Sequence, residues 1–240
     1  MSKQRTLIIG GASGIGFAVA QQLAARGDSL ILAGRNGEKL QRAAETLRTS
    51  DAQIETIALD IANEGALREL SKTLGQVDHI VVTAGSLAPG GTLSALDLSA
   101  AKQAFDTKFW GSLAVVQHLA SQVKTGGTLT LTSGFLARRS VAGTMVKTTI
   151  NAALEAAVKI MAKELSPLRV NAVSPGLTDT EAYAAMVPEA RQQMLEKAAA
   201  SLPAKTWGRA EDIAKGYLFI IDNPFVTGSV VDIEGGALID

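Results

Sequence analysis

IIGGASGIG (Ile8–Gly16) is the stretch whose reading decides the fold. Gly10, Gly14 and Gly16 stand in the spacing G-x-x-x-G-x-G. An apolar run (Thr6–Ile9) precedes them, and Ile15, Val19 and Leu23 behind them share one helical face. A strand that turns at once into a helix brings bare backbone N–H groups to one point, with the positive helix end behind them. That arrangement receives a pyrophosphate, so Gly10, Ser13, Gly14, Ile15 and Gly16 are candidate contacts to a dinucleotide. A structural turn would use the same glycines. Position at the first strand–helix junction of an alternating chain favours the dinucleotide.

The alternation runs to the end of the chain. Thr6–Ile9, Ser29–Ala33, Thr56–Leu59, His79–Thr83, Thr128–Thr132, Arg169–Val173 and Ser229–Ile233 read as strands. Leu40, Ala44 and Leu47, then Leu67, Leu70 and Leu74, mark helical faces between them, and Arg26-Gly27 stops the first helix. Strand–helix alternation predicts a doubly wound, Rossmann-type α/β fold with a parallel sheet and helices on both faces. Thr178–Pro203, rich in Ala, Glu and Gln, reads as small helices forming a lid near residues 178–203. The whole chain, 1–240, reads as one domain.

Composition narrows the function. The 240 residues are 47% hydrophobic, enough for a sizeable core. Lys plus Arg and Asp plus Glu total 23 each, which leaves no electrostatic footprint for nucleic acid or an anionic membrane. The absence of cysteine excludes disulfides, zinc–thiolate sites and thiol nucleophiles, and no other metal-ligand pattern stands out. No apolar run approaches the roughly 20 residues of a membrane span, so a cytoplasmic protein acting on a small molecule is the expectation.

The second strand bears on the cofactor. It ends on Gly34, where a carboxylate would hold the ribose hydroxyls of NAD, and Arg35 follows. A guanidinium beside the Ser13 hydroxyl suits a 2′-phosphate, so NADP(H) is the expected cofactor.

At this point the chain resembles the short-chain dehydrogenase/reductase family over nearly its full length. The glycine turn is similar to that family's, with Ile9 in place of its usual threonine. Leu59–Ala62 resembles the acidic turn after strand three, which implies that Asp60 holds adenine and Ile61 lines its pocket. Val82–Gly85 resembles the Asn-Asn-Ala-Gly turn after strand four, with Val82 and Thr83 in the asparagine places and Ala84 and Gly85 matching. Thr130–Gly134 places Ser133 at the catalytic serine. In RVNAVSPGLTDT (Arg169–Thr180), the resemblance implies that Pro175, Gly176 and Leu177 flank the nicotinamide and that Thr180 contacts its carboxamide. WGRAEDIA (Trp207–Ala214) and VTGSVVDIEGG (Val226–Gly236) match the C-terminal signature. The resemblance also implies seven parallel strands and a homo-oligomer, a tetramer or dimer.

One element of that family is missing. Its reaction uses a Tyr-x-x-x-Lys pair on the fifth helix, where tyrosine gives a proton to the carbonyl oxygen and lysine lowers the phenol pKa. Anchored on NAALEAAVKIMAKEL (Asn151–Leu165), the alignment puts Lys147 in the tyrosine place and Asn151 in the lysine place. A shift by one puts Val146 and Ile150 there instead, and neither register supplies a tyrosine. On the fourth helix Lys108 stands where the family has asparagine, so lysine and asparagine have changed places: either the ammonium is relocated or the two substitutions are independent. The remaining tyrosines are Tyr183, in the lid, and Tyr217, in an apolar helix stretch. His79 and His118 read as structural, and Arg138-Arg139 as a loop pair near the pocket mouth.

Two functions remain open. One is an atypical NADP(H)-dependent oxidoreductase acting on a small carbonyl, imine or enone. In it Ser133 polarises the substrate, and Lys147, or a water chain from Lys108 beside Asn151, supplies the proton. The other is a protein that binds NADP(H) without turnover, as a redox sensor or assembly partner.

Overall fold

The computed structural model describes residues 3–48, 52–85 and 88–239. In chain order the strands are β1 (Arg5–Ile9), β2 (Ser29–Gly34), β3 (Ile54–Ala58), β4 (Val77–Val82), β5 (Val123–Thr132), β6 (Arg169–Pro175), β7 (Thr178–Asp179), β8 (Gly208–Arg209) and β9 (Val230–Ile233). Seven of them form one sheet in the order β3-β2-β1-β4-β5-β6-β9, and every pairing in it is parallel. The expected Rossmann-type sheet is therefore present. β3 begins before the predicted Thr56 and ends before Leu59, because Ile54 already pairs with Leu30.

Period-two alternation divides the core between the two faces. Leu7, Ile9, Ile31, Val82 and Leu131 face one layer. That layer holds α3 (Glu64–Thr73), α5 (Gly111–Leu119) and α6 (Met145–Glu164). Ile8, Leu30, Leu32, Val81 and Val173 face the opposite layer. There lie α1 (Gly14–Ala25), α2 (Gly37–Leu47) and α8 (Ala210–Asp222). Arg26 clamps α1 to α8 through a two-pronged contact to Asp222 at 2.8 and 2.9 Å. The chain leaves β1 for β2 on one side and later returns to β4 on the other. The crevice beyond the carboxyl ends of β1 and β4 is thus the switch point where such sheets bind ligands.

Two departures from the sequence reading shape that crevice. The predicted fourth helix is interrupted: α4 (Leu98–Phe105) passes through a π-helical turn, Asp106–Trp110, before α5 begins. A π turn shifts the following side chains around the axis, and Lys108 lies within it. The segment 178–203, expected as a lid, begins with the strand β7 and contains a short 3₁₀ turn (Glu181–Tyr183) and α7 (Pro188–Ser201). β7 pairs with β8, Thr178 with Gly208 and Asp179 with Arg209, which ties the start of this segment to the chain just before α8.

His79, at the opposite end of the sheet, is 2% exposed, and neither ring nitrogen has a partner among the described residues. Burial lowers its pKa from 6.5 to about 4, with nearby Arg169 adding to the effect and Asp78 opposing it. In the unfolded chain it takes a proton near pH 6.5, so the stability that neutral burial protects is complete above that pH. It is lost as pH falls towards 4, by roughly 3 kcal/mol in full. Urea unfolding of His79→Leu between pH 7 and 4 is expected to show a shallower acid loss than the parent protein. Identical slopes would remove His79 as the cause.

Candidate active site

The glycine turn is built by contacts that exclude side chains. A Cβ on Gly16 would lie 2.3 Å from the Gly10 carbonyl oxygen, and one on Gly10 would lie 2.5 Å from Thr83 Oγ1. Gly10 and Gly14 also adopt positive φ, 94° and 52°, which side chains resist. Thr83 and Ala84 both donate backbone N–H groups to the Ile9 carbonyl, at 2.8 and 3.1 Å, so the turns after β1 and β4 are joined. Ser13 is exposed and extended, with a hydroxyl that caps nothing on α1, and Ile15 follows on the first helical turn. Arg35 is exposed just past β2 and forms no hydrogen bond or ion pair with the described residues. Asp60 accepts the Ala62 N–H at 3.0 Å.

Ile61 lies deeper than expected for a residue lining an adenine pocket. It is 3% exposed and packs where a Gly111 Cβ would come within 2.8 Å. Its first partner is α5. Gly176 donates to the Ile233 carbonyl at 2.9 Å and approaches Glu234, which fixes the Pro175–Leu177 segment against β9. Thr180 caps the 3₁₀ turn by accepting the Ala182 N–H.

Beyond β4 and β5 lies a continuous polar cluster. The Lys108 ammonium donates to Asn151 Oδ1 at 2.7 Å and to the Ser133 carbonyl at 3.0 Å, and its stem passes beside Gly85. The π turn directs Lys108 there, and α6 presents Asn151, which is 6% exposed. Val146 and Ile150 face the apolar core instead, which favours the register anchored on Asn151. Lys147 is exposed one turn before Asn151. Burial chiefly, and the Lys147 charge secondarily, lowers the Lys108 ammonium from 10.5 to about 8.

The serine has a different partner from the one expected of it. Ser133 is 2% exposed, and its hydroxyl donates to Glu155 Oε1 at 3.0 Å. Glu155, one turn after Asn151, is itself buried and pairs with Arg138 Nε at 3.0 Å. Arg138 also bonds Asp232 and approaches Ser174 Oγ at 3.4 Å, while Arg139 donates to the Ala237 carbonyl at 2.9 Å. The arginines are thus anchors, not a free loop pair. Sequence reasoning missed Glu155, although a carboxylate in the apolar run AALEAAV was a signal that it needed a buried partner.

Among the described residues neither tyrosine bonds Lys108, Asn151 or Ser133. Tyr217 is fully buried with its hydroxyl 2.6 Å from Thr132 Oγ1, and burial raises its pKa. Tyr183 sits in the lid, raised by burial and by Asp179. His118 contacts Glu64 at 3.2 Å on the outer side of α5. Among the described residues no cluster of histidine and acidic side chains can hold a metal ion, and no helix is long and apolar enough to cross a membrane.

Residues 10–237 match the sequence model of the enoyl-(acyl carrier protein) reductase family. The short-chain dehydrogenase/reductase ucsE of an Acremonium species is 32% identical, with 100% of this chain and 97% of that protein aligned. A small-chain dehydrogenase crystallised in complex with NADPH is 42% identical over 100% of both chains, with a TM-score of 0.85. The MalC reductase/Diels-Alderase from Malbranchea aurantiaca is 28% identical over 99% of this chain and 97% of that one, with a TM-score of 0.91. This chain belongs to the short-chain dehydrogenase/reductase family and is an oxidoreductase of that family.

The Lys108–Asn151 contact makes the exchange between their positions testable by stability alone. Lys108→Asn removes the cation from Asn151, and Asn151→Lys sets two ammonium groups face to face. Each single change is expected to cost about 1–3 kcal/mol in denaturant unfolding, and the double exchange markedly less than their sum. Strict additivity would show the two positions to be uncoupled.

Proposed function

We propose that the protein is an NADP(H)-dependent reductase of small carbonyl, imine or enone compounds in which Lys108 takes the part of the family's tyrosine. The observation that carries this reading is the Lys108 ammonium, held by Asn151 and the Ser133 carbonyl with one N–H direction left over. In the alignment read from the sequence the family's tyrosine and lysine places hold Lys147 and Asn151; Lys147 is exposed, and Lys108 is the cation bonded to both Asn151 and Ser133.

The residues present fit a dinucleotide. The glycine turn offers N–H groups at the mouth of α1, and Ser13 and Arg35, which has no partner among the described residues, suit a 2′-phosphate. Asp60 and Ala84–Gly85 border the adenine and ribose side, Pro175–Leu177 and Thr180 the nicotinamide side, and Ile61 supports the adenine pocket from behind. Bound there, the nicotinamide supplies or takes the hydride. Lys108 then meets the oxygen or nitrogen of the substrate with its third N–H and gives up a proton. Asn151 holds the resulting amine, and Lys147, at the rim, keeps the ammonium acidic. Ser133 contributes its backbone carbonyl as the anchor of Lys108.

A second reading has its own support. The Ser133 hydroxyl is committed to Glu155, which suits a protein that binds NADP(H) without turning over a carbonyl. For subunit contact we assign the face of α5 and α6. There an apolar hollow of about 700 Å³ lies between Leu113, Val116, Met161 and Leu165, beside exposed Ile160. A solution mass of a single 24.9 kDa chain would remove that assignment.

The deciding experiment follows NADPH absorbance over a panel of carbonyls, imines and enones. Turnover is expected, reduced about 100-fold or more by Lys108→Met. The reduction rate should fall as pH rises through about 8, since the donor is the ammonium form. Tight NADPH binding with no turnover of any panel member would favour the second reading. Calorimetry tests the cofactor choice: NADPH is expected to bind more tightly than NADH, and Arg35→Ala to weaken NADPH by roughly 10- to 150-fold. Equal affinities would overturn the assignment of Arg35.

A further inference from the structure

The backbone N–H of Gly14, at the mouth of α1, already has an anionic partner. It donates to Glu181 Oε2 at 2.8 Å, across 167 residues of chain. Nothing local supplies that charge: the first turn of α1 has no acidic residue, and Ser13 makes no side-chain cap. Glu181 stands in the lid, directly after Thr180, whose Cβ would sit 3.4 Å from a Cβ on Gly14. The lid root is held in that position by more than this contact. β7 pairs with β8, and Arg191 of α7 bonds both Asp179 (2.7 Å from Nε) and the Thr180 carbonyl (3.2 Å).

A carboxylate and a pyrophosphate ask for the same thing here, the helix's positive end and its free N–H groups. The geometry points to Glu181 as an internal competitor for the cofactor: a lid latch that must leave Gly14 before the dinucleotide's pyrophosphate can take its place. The inference rests on the proposed dinucleotide site and adds to it a coupling between cofactor entry and lid release. Both anions cannot share Gly14, since two like charges at one donor repel. Affinity is therefore reduced by whatever the Glu181 contact contributes. A carboxylate at a helix N-terminus contributes at most about 2 kcal/mol, which bounds the effect at roughly 30-fold.

Glu181→Gln keeps the shape and removes the charge. In calorimetric titration with NADPH, E181Q is expected to bind about 3- to 30-fold more tightly than the parent, and the exposed lid variant E189Q equally to it. Hydrogen exchange without ligand tests the contact itself: the Gly14 amide is expected to exchange faster in Glu181→Ala, which removes the acceptor that glutamine keeps. Unchanged or weaker NADPH binding in E181Q, beside a parent that binds, would overturn the latch and leave the dinucleotide site standing. Unchanged exchange at Gly14 in Glu181→Ala would overturn the contact. Faster exchange in Glu181→Ala with no NADPH binding by the parent or E181Q would overturn the dinucleotide site and, with it, the role given to Glu181.

Discussion

The rest of the candidate site depends on the close approach of the backbone at Gly10 and Gly16. With a Gly16 Cβ only 2.3 Å from the Gly10 oxygen, no side chain fits between β1 and the start of α1. Repulsion rises so steeply at that distance that no adjustment of rotamers relieves it. Because α1 can seat that closely, its N-terminus opens at the crevice between β1 and β4. The turn after β4 then binds to the Ile9 carbonyl, and Gly85 lies where the Lys108 stem can pass. Thr180 and Glu181 reach the same point from the far end of the chain. Both halves of the candidate site are positioned from this one turn.

The polar cluster divides its charges into two compartments. Glu155, Arg138 and Asp232 neutralise one another behind Ser133. Lys108 is held by two neutral oxygens instead, one from Asn151 and one from a backbone carbonyl. A carboxylate in contact with Lys108 would have raised its pKa. With neutral acceptors, burial prevails and the ammonium falls to about 8. Asn151 supplies one of those neutral acceptors, where a lysine would bring a second cation and no acceptor.

The fold was legible because its signals are local. Alternation in LII (Leu7–Ile9) assigns Leu7 and Ile9 to one face and Ile8 to the other, and the structure divides them in that way. The glycine spacing announced a turn whose requirement is steric and therefore visible in composition. Less of the site was legible, because its contacts join residues distant in the chain. Lys108 and Asn151 could be singled out as a pair, but their meeting depends on the π turn of Asp106–Trp110, which periodicity does not reveal. The Ser133 hydroxyl was assigned to the crevice because its buried competitor, Glu155, looked like one more polar residue of a helix. Glu181 had no signal at all. Nothing near it marks a carboxylate that will meet a helix N-terminus 167 residues away.

The ammonium donor proposed for Lys108 differs from a phenol in the charge that proton transfer leaves behind. A tyrosine that gives up its proton becomes an anion and requires a cation beside it, which is the service of the family's lysine. An ammonium that gives up its proton becomes neutral. In a pocket whose burial already disfavours the charged form of Lys108, proton transfer to a substrate relieves the desolvation that lowered its pKa. The reverse reaction must restore a cation in the same place, against the Lys147 charge at the rim. An acid of this kind needs no neighbouring lysine once it has acted, so an asparagine, able to accept from the ammonium and from the amine alike, is a sufficient companion. Under the proposed reading Lys108 and Asn151 serve one step, in which the donor is charged before proton transfer and neutral after it.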